Sequence, residues 1–170
     1  IGLGEISNRI AKRANASGMK IIGFDPFISK YDYVVSENSV ELVDSIEELL
    51  PVSDFVSIHV PLTNGTRNMF NWETFSMMKN SAYLINSSRG GIVNELDLIE
   101  AIKNEKIRGA YLDVLESEPV QPDSPLLNIE QICITPHVAG LTDESQERIS
   151  NLVALEVMKV LKGNYSNCVI

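Results

Sequence analysis

The sequence is short of several things, and each shortage narrows what the chain can be. Two cysteines in 170 residues, Cys133 and Cys168, are no disulfide framework. Cys133 lies in an apolar run and is expected in the core, so a reducing compartment, the cytoplasm, is the expected location. Basic residues are scarce: 14 Lys and Arg stand against 23 Asp and Glu, a net charge of −9. That balance repels a phosphate backbone and argues against general nucleic-acid binding. It still leaves room for a single dinucleotide, because backbone amides hold phosphates without a basic patch. No run of about 18 apolar residues occurs, so no helical membrane span is expected. The first residues, Ile1-Gly2-Leu3-Gly4, have neither the basic start nor the apolar stretch of a signal peptide. No initiator Met is present, and residue 1 already belongs to a glycine motif of the kind that follows a strand. The expectation is a piece of a larger protein, cut at the end of its first strand.

What is present is a globular composition with 44% hydrophobic residues, long enough for one domain with a proper core. Apolar segments alternate in a strand–helix rhythm. Ile6, Ile10, Ala11 and Ala14 recur at helical spacing, and Gly18 ends that segment. Met19–Phe24, Asp54–Ile58, Ala82–Ile85, Gly109–Val114 and Ile132–Ile134 read as strands. Ser45–Leu50, Trp72–Met78 and the segment marked by Leu96, Leu98, Ile99 and Ile102 read as helices, with Ser45 as a cap and Glu48 three residues on. Ile149, Leu152, Val153, Val157, Val160 and Leu161 form one stripe on a last helix, with Asp143 and Gln146 as its expected capping pair and Gly163 beyond its end. Strands with helices between them imply an α/β fold: a Rossmann-type doubly wound parallel sheet, truncated at its first strand and covered on both faces. Asp113–Leu127 is the longest irregular stretch and holds Pro119, Pro122 and Pro125.

Five motifs sit where such a fold places chemistry. Gly2-Leu3-Gly4-Glu5-Ile6-Ser7 opens a helix. In a dinucleotide fingerprint the first glycine makes the turn, the second admits the pyrophosphate and the third packs helix on strand; here the third is Ser7. A Gly-x-Gly turn is common by itself. Asp25 ends the next strand, 21 residues after Gly4. An acidic residue there binds the adenosine ribose and repels a 2′-phosphate, favouring NAD over NADP; as a bland alternative, Asp25 is a turn residue beside Pro26. Asn86-Ser87-Ser88-Arg89-Gly90-Gly91 follows a strand, and ligands of open α/β sheets bind beyond the carboxyl ends of strands. The Arg89 guanidinium suits a carboxylate, though it is equally an ordinary surface Arg beside a glycine turn. Asp113-Val114-Leu115-Glu116-Ser117-Glu118-Pro119 and Thr135-Pro136-His137-Val138-Ala139-Gly140 also follow strands. The two histidines, His59 and His137, both end strands. A lone His is most often structural; a His and a Glu at neighbouring strand ends form a candidate acid–base pair.

Taken together, Gly2-Leu3-Gly4, Gly23-Phe24-Asp25-Pro26, His59-Val60-Pro61-Leu62-Thr63, Asn86 to Gly91, Asp113 to Pro119 and Thr135-Pro136-His137 are similar in order and spacing to the D-isomer-specific 2-hydroxyacid dehydrogenase family, over nearly the whole chain. The resemblance implies a dinucleotide-binding domain over residues 1–170, NAD as cofactor, and a small 2-hydroxy or 2-keto acid as substrate, 3-phosphoglycerate being one candidate. It implies that His137 is the general acid–base, that Glu118 orients the imidazole and favours its charged form, and that Arg89 holds the substrate carboxylate and polarises the carbonyl. On the cofactor side it implies Gly2, Gly4 and the backbone of Glu5 and Ile6 at the pyrophosphate, Asp25 at the adenosine ribose, and Val60, Pro61 and Thr66 along the adenosine side. Ser87, Ser88, Arg89, Asp113, His137 and Ala139 fall near the nicotinamide, with Asp113 at its carboxamide. No metal is expected.

Two departures stand out. Glu5 puts a carboxylate beside the pyrophosphate position, and Ser7 replaces the packing glycine, which is expected to hold the helix slightly further from the strand. Weak NAD affinity is therefore expected of this piece. A substrate domain is expected to lie outside these residues, with Asn167-Cys168-Val169-Ile170 beginning the return to it, so no turnover is expected of this piece alone. A homodimer without nucleic-acid or membrane partners is expected. The rival functions are an NAD-sensing binding protein like the C-terminal-binding-protein corepressors, a methyltransferase using the same glycine turn, and a plain structural α/β domain.

Overall fold

The computed structural model describes residues 1–164. Cys168 and the expected return segment, Asn167 to Ile170, lie outside the described residues. Contacts divide the chain into two units, Ile1–Pro136 and His137–Ile170.

The first unit is built on parallel strands. A pair, β1 (Ile21–Gly23) and β2 (Val40–Leu42), lies beside a four-stranded sheet in the order β3 (Phe55–Ile58), β4 (Tyr83–Asn86), β5 (Gly109–Leu112), β6 (Ile132–Ile134). Residues 1–3 stitch the two together: the Gly2 N–H donates to the Phe24 carbonyl at 2.9 Å, and the His59 N–H donates to the Ile1 carbonyl at 2.8 Å. The glycine turn is thereby fixed at the carboxyl ends of β1 and β3. The strand order turns back at this point, which is where a doubly wound sheet opens its binding crevice.

The buried residues form two separate clusters, one around the β1–β2 pair and one on the four-stranded sheet. In the first, Leu3, Val40, Ala11 of α1 (Glu5–Ala16) and Val34 and Val35 of α2 (Tyr33–Glu37) pack together. In the second, Val56, Ile58, Leu84, Ala110 and Leu112 meet Leu49 of α3 (Ile46–Leu49), Phe75 of α4 (Trp72–Met77) and Leu98, Ile99 and Ile102 of α5 (Glu95–Lys103). Phe70 and Phe75 are fully buried with ring centroids 6.0 Å apart. Helices α3, α4 and α5 start at side-chain caps: Ser45, Asn71 and Asn94 each accept a backbone N–H of the first turn, which satisfies donors that have no partner inside the helix.

The expectation that both faces are covered holds only in part. Phe55, Tyr83 and Tyr111 form an aromatic row with centroid spacings of 5.9 Å, and Phe55 and Tyr111 are half exposed. Cys133 continues the row and is exposed rather than in the core, because it alternates with Ile132 and Ile134. A hollow of about 740 Å³ lies at the amino ends of these strands, lined by Asn80, Arg108, Gln131 and Cys133 among others. It is at the opposite end from the glycine turn. Leu96, one of the four residues that mark α5, is exposed, whereas Leu98, Ile99 and Ile102 are buried.

The second unit holds α6 (Asp143–Leu161), which carries the expected apolar stripe and buries none of its residues. Its cap is not the Asp143–Gln146 pair. Thr142 and Ser145 form the capping box, each hydroxyl accepting the other's backbone N–H at 3.1 and 3.2 Å. Asp143 is instead the first helical residue, where its charge suits the helix dipole.

Candidate functional site

The glycine turn has the stereochemistry that a dinucleotide demands of it. Gly2 has φ +82°, and a Cβ there would come within 2.7 Å of the His59 carbonyl oxygen and 2.9 Å of Val60 Cγ1. Only glycine fits, for conformation and for space. Gly4 caps α1, and a Cβ built on it meets nothing within 4 Å, so the space in front of the helix is open. The first N–H groups of this 12-residue helix face that space without intrahelical acceptors. The residues present therefore fit a pyrophosphate.

The two departures resolve differently. Ser7 is buried, and its hydroxyl donates to the Gly4 carbonyl at 2.9 Å, so the polar atom that replaces a glycine is satisfied within the turn. The Glu5 side chain is 86% exposed and lies 3.9 Å from Arg9. It is therefore turned toward solvent and a cation.

Asp25 is more than a turn residue. Oδ2 accepts the Leu3 N–H at 2.8 Å and Oδ1 accepts the Phe27 N–H at 2.9 Å. One carboxylate ties the glycine loop to the end of β1, and each oxygen keeps a lone pair for a ligand hydroxyl. Val60, by its contact distance to Gly2, belongs to the same wall. Pro61 and Thr66 lie in the loop after β3, where the Thr66 hydroxyl donates to the Pro61 carbonyl at 2.6 Å and accepts the Thr63 N–H at 2.8 Å. Thr66 thus shapes the loop from inside. His59 takes no part in the expected acid–base pair: its Nε2 lies 2.8 Å from the Ser57 hydroxyl. Burial pushes its imidazole down to about 4.

Beyond β4, buried Asn86 organises the arginine loop. Its amide donates to the Arg89 carbonyl at 2.9 Å and its side-chain oxygen accepts the Ser88 N–H at 3.0 Å. The Ser88 hydroxyl donates to the Ile58 carbonyl at 2.7 Å, tying this loop to β3. Ser87 and Arg89 are exposed, and Arg89 Nη1 donates to the Ser88 carbonyl at 2.6 Å. Beyond β5, the Asp113 N–H donates to the Asn86 carbonyl at 2.9 Å, and Asp113 Oδ1 accepts the Thr135 hydroxyl at 2.5 Å. Glu118 is exposed; its Oε1 accepts the Leu115 N–H at 2.8 Å, and the Glu118–Pro119 peptide is cis.

The first unit therefore gathers Gly2, Gly4, Asp25 and Val60 at one part of the carboxyl edge, and Ser88, Arg89, Asp113 and Glu118 on the loops after β4 and β5. His137 and Ala139 belong to the second unit, where His137 has φ +56°. Sequence reasoning assigns no role to Asn86 or Thr135. The signal available is a polar residue closing or following an apolar strand run, and it does not reveal which way the side chain turns.

Comparison with known proteins agrees with this geometry. Residues 1–139 match the family model for the D-isomer specific 2-hydroxyacid dehydrogenase NAD binding domain. The chain is 45% identical over 170 residues to D-3-phosphoglycerate dehydrogenase of Methanocaldococcus jannaschii, covering all of this chain and 32% of that protein. It is 41% identical over 163 residues to glyoxylate reductase of Korarchaeum cryptofilum, covering 96% of this chain and 48% of that one. In three dimensions it resembles the NAD-complexed D-isomer specific 2-hydroxyacid dehydrogenase of Lactobacillus delbrueckii ssp. bulgaricus, with TM-score 0.86 and 28% identity over 99% of this chain and 54% of that one. The chain thus spans about a third of the length of the first of these two curated relatives and about half that of the second.

Proposed function

The chain belongs to the D-isomer specific 2-hydroxyacid dehydrogenase family, and we propose that its residues 1–170 act as the NAD-binding domain of an enzyme that interconverts a small D-2-hydroxy acid and its 2-keto acid. The observation that carries this reading is the glycine turn tied to Asp25 at the switch point of the sheet. When bound, NAD supplies the hydride acceptor, or NADH the donor.

The chain's own residues take the remaining roles. Gly4 and the N–H groups of Glu5 and Ile6 bind the pyrophosphate. Asp25 accepts the adenosine ribose hydroxyls, with Val60, Pro61 and Thr66 along that side. Asp113 orients the nicotinamide carboxamide, near Ser87, Ser88 and Ala139. Arg89 binds the substrate carboxylate and polarises the carbonyl through charge-assisted hydrogen bonds. His137 moves the proton at the substrate oxygen, and Glu118 orients His137. The support for this trio is its order after successive strands, together with membership of the family. A positioned acid–base of this kind contributes about 10²–10⁴-fold to a rate.

We favour 3-phosphoglycerate as the hydroxy acid, on the identity to the Methanocaldococcus jannaschii enzyme. We further propose a cytoplasmic location, which suits a sequence with two cysteines and no disulfide framework, and a homodimer, which the family resemblance implies; the net charge of −9 disfavours nucleic acid as a partner. The test is NADH oxidation by the complete gene product with a panel of 2-keto acids, including 3-phosphohydroxypyruvate and glyoxylate. Turnover with at least one supports the reading; NADH binding without turnover on any of them overturns it.

A further inference from the structure

The loops that carry Arg89 and Glu118 touch at the Leu115–Glu116 peptide. A Cβ on Gly90 would lie 1.9 Å from the carbonyl carbon and oxygen of Leu115 and 2.5 Å from the Glu116 nitrogen. Those are backbone atoms, so nothing flexible can give way. The Leu115–Glu116 peptide therefore rests directly on the Gly90 backbone. The same peptide is gripped a second time: its N–H donates to Glu95 Oε1 at 2.6 Å, from the first residue of α5. Gly90 and the peptide that rests on it are both close in sequence to the proposed machinery. Gly90 directly follows Arg89, whose carbonyl is held by Asn86. Three residues beyond Leu115, Glu118 turns back and accepts the Leu115 N–H.

Glu95 is not merely a favourable charge at a helix start. Asp97, in the same first turn, already supplies that, and it accepts the Trp72 N–H at 3.1 Å. Glu95 is half-buried, and burial pushes its carboxyl above the usual range, with the charge of Glu116 adding to this and the Glu116 N–H opposing it. It lines a hollow of about 390 Å³ with Arg67, Asn94 and Glu116. Placing a carboxylate there costs free energy, and its short hydrogen bond goes to one peptide N–H in the loop that ends at Glu118.

We propose that Gly90 and Glu95 are positioning residues that clamp the Leu115–Glu116 peptide between them and so fix the Arg89 loop and the Glu118 loop as one unit. The proposal rests on the dehydrogenase reading above. Neither residue needs to touch substrate or cofactor: each acts through the loop it holds. A displacement of about 1 Å at a catalytic group costs up to about 10²-fold in rate, and release of the clamp frees both groups at once.

The test is a variant series in the complete gene product. Glu95→Ala is expected to lower kcat/KM for the 2-keto acid about 10- to 100-fold, while NADH affinity, by fluorescence titration, stays within about 2-fold, because Gly2, Gly4 and Asp25 are untouched. Glu95→Gln is expected to recover most of the loss, since its amide oxygen still accepts the Glu116 N–H. The double variant Glu95→Ala/Glu118→Gln is expected to lose clearly less than the product of the two single losses, because Glu95 acts in part through the Glu118 loop, with the remainder passing through the Arg89 loop. Gly90→Ala is expected to match or exceed Glu95→Ala; if it does not fold, the Glu95 series decides. Effects that multiply in the double variant, or a Glu95→Gln as impaired as Glu95→Ala, overturn the proposal. If the wild type reduces no 2-keto acid, the dehydrogenase reading fails by itself. The clamp is then read by amide hydrogen exchange at Glu116, where slow exchange made fast by Glu95→Ala supports it and unchanged exchange refutes it.

Discussion

Replacing Asp25 with serine separates the two tasks that its carboxylate performs. The first is structural: the Leu3 and Phe27 N–H groups lose a charged acceptor at 2.8 and 2.9 Å. A hydrogen bond to a charged group contributes about 1.5–3 kcal/mol, and partial exposure together with the serine hydroxyl recovers part of two such bonds. A net loss of about 2 kcal/mol follows, enough to loosen the glycine turn and raise the NADH dissociation constant roughly tenfold. The second task is discrimination. Two unit charges 4 Å apart repel by about 4 kcal/mol at an effective dielectric of 20, and partial exposure reduces this to about 1–3 kcal/mol. Losing that repulsion shifts the NADPH-to-NADH affinity ratio toward NADPH by about 5- to 150-fold. Fluorescence titration of both cofactors against wild type and Asp25→Ser measures each term. A larger shift in the ratio is expected at low ionic strength than at high. If the ratio stays unchanged while the variant remains folded, Asp25 is only a turn residue and the cofactor assignment loses its support.

Gly2→Ala is expected to destabilise the protein by about 1–3 kcal/mol and abolish NADH binding, because its Cβ would meet the His59 carbonyl oxygen at 2.7 Å; thermal denaturation and titration together check this. Glu5→Gln is expected to change NADH affinity by less than about threefold, since the carboxylate is 86% exposed beside Arg9, whereas a gain of tenfold or more by calorimetry would show that the charge reaches the pyrophosphate. His59, held down to about 4, binds its proton more weakly in the folded state than when unfolded. Its contribution to stability is therefore complete above its ordinary pKa of about 6.5 and is lost as pH falls toward 4, by about 1–3 kcal/mol after allowance for exposure. Urea unfolding between pH 7 and 4 should show that loss, and His59→Asn should flatten it.

Much of the fold was legible because its signals are local. Ile132–Ile134 and the Ser45 cap follow directly from apolar runs and capping chemistry. What failed was facing. Cys133 sits in an apolar run, but alternation turns it outward, and only the sheet decides which neighbour is buried. Asp143 and Gln146 have cap-like spacing, yet Thr142 and Ser145 do the capping, because a one-residue shift of the start leaves both spacings plausible. The short strand β2 and helix α2 gave no periodic signal over so few residues. At the site, Gly2 and Asp25 were legible by type and spacing. The hold of Asn86 on Arg89, and that of Glu95 on Glu116, were not, since each joins a side chain to a backbone group whose position the fold alone determines.

The most direct test of the proposed function follows the hydride itself. The complete gene product is incubated with a 2-keto acid and NADH deuterated at the reactive carbon, and the hydroxy acid is analysed by mass and by configuration, with His137→Ala alongside. The account predicts one deuterium at C2 of a D-hydroxy acid, and a rate reduced by about 10²–10⁴-fold in the variant. Absence of transferred deuterium, an L-product, or transfer undiminished in His137→Ala would contradict it.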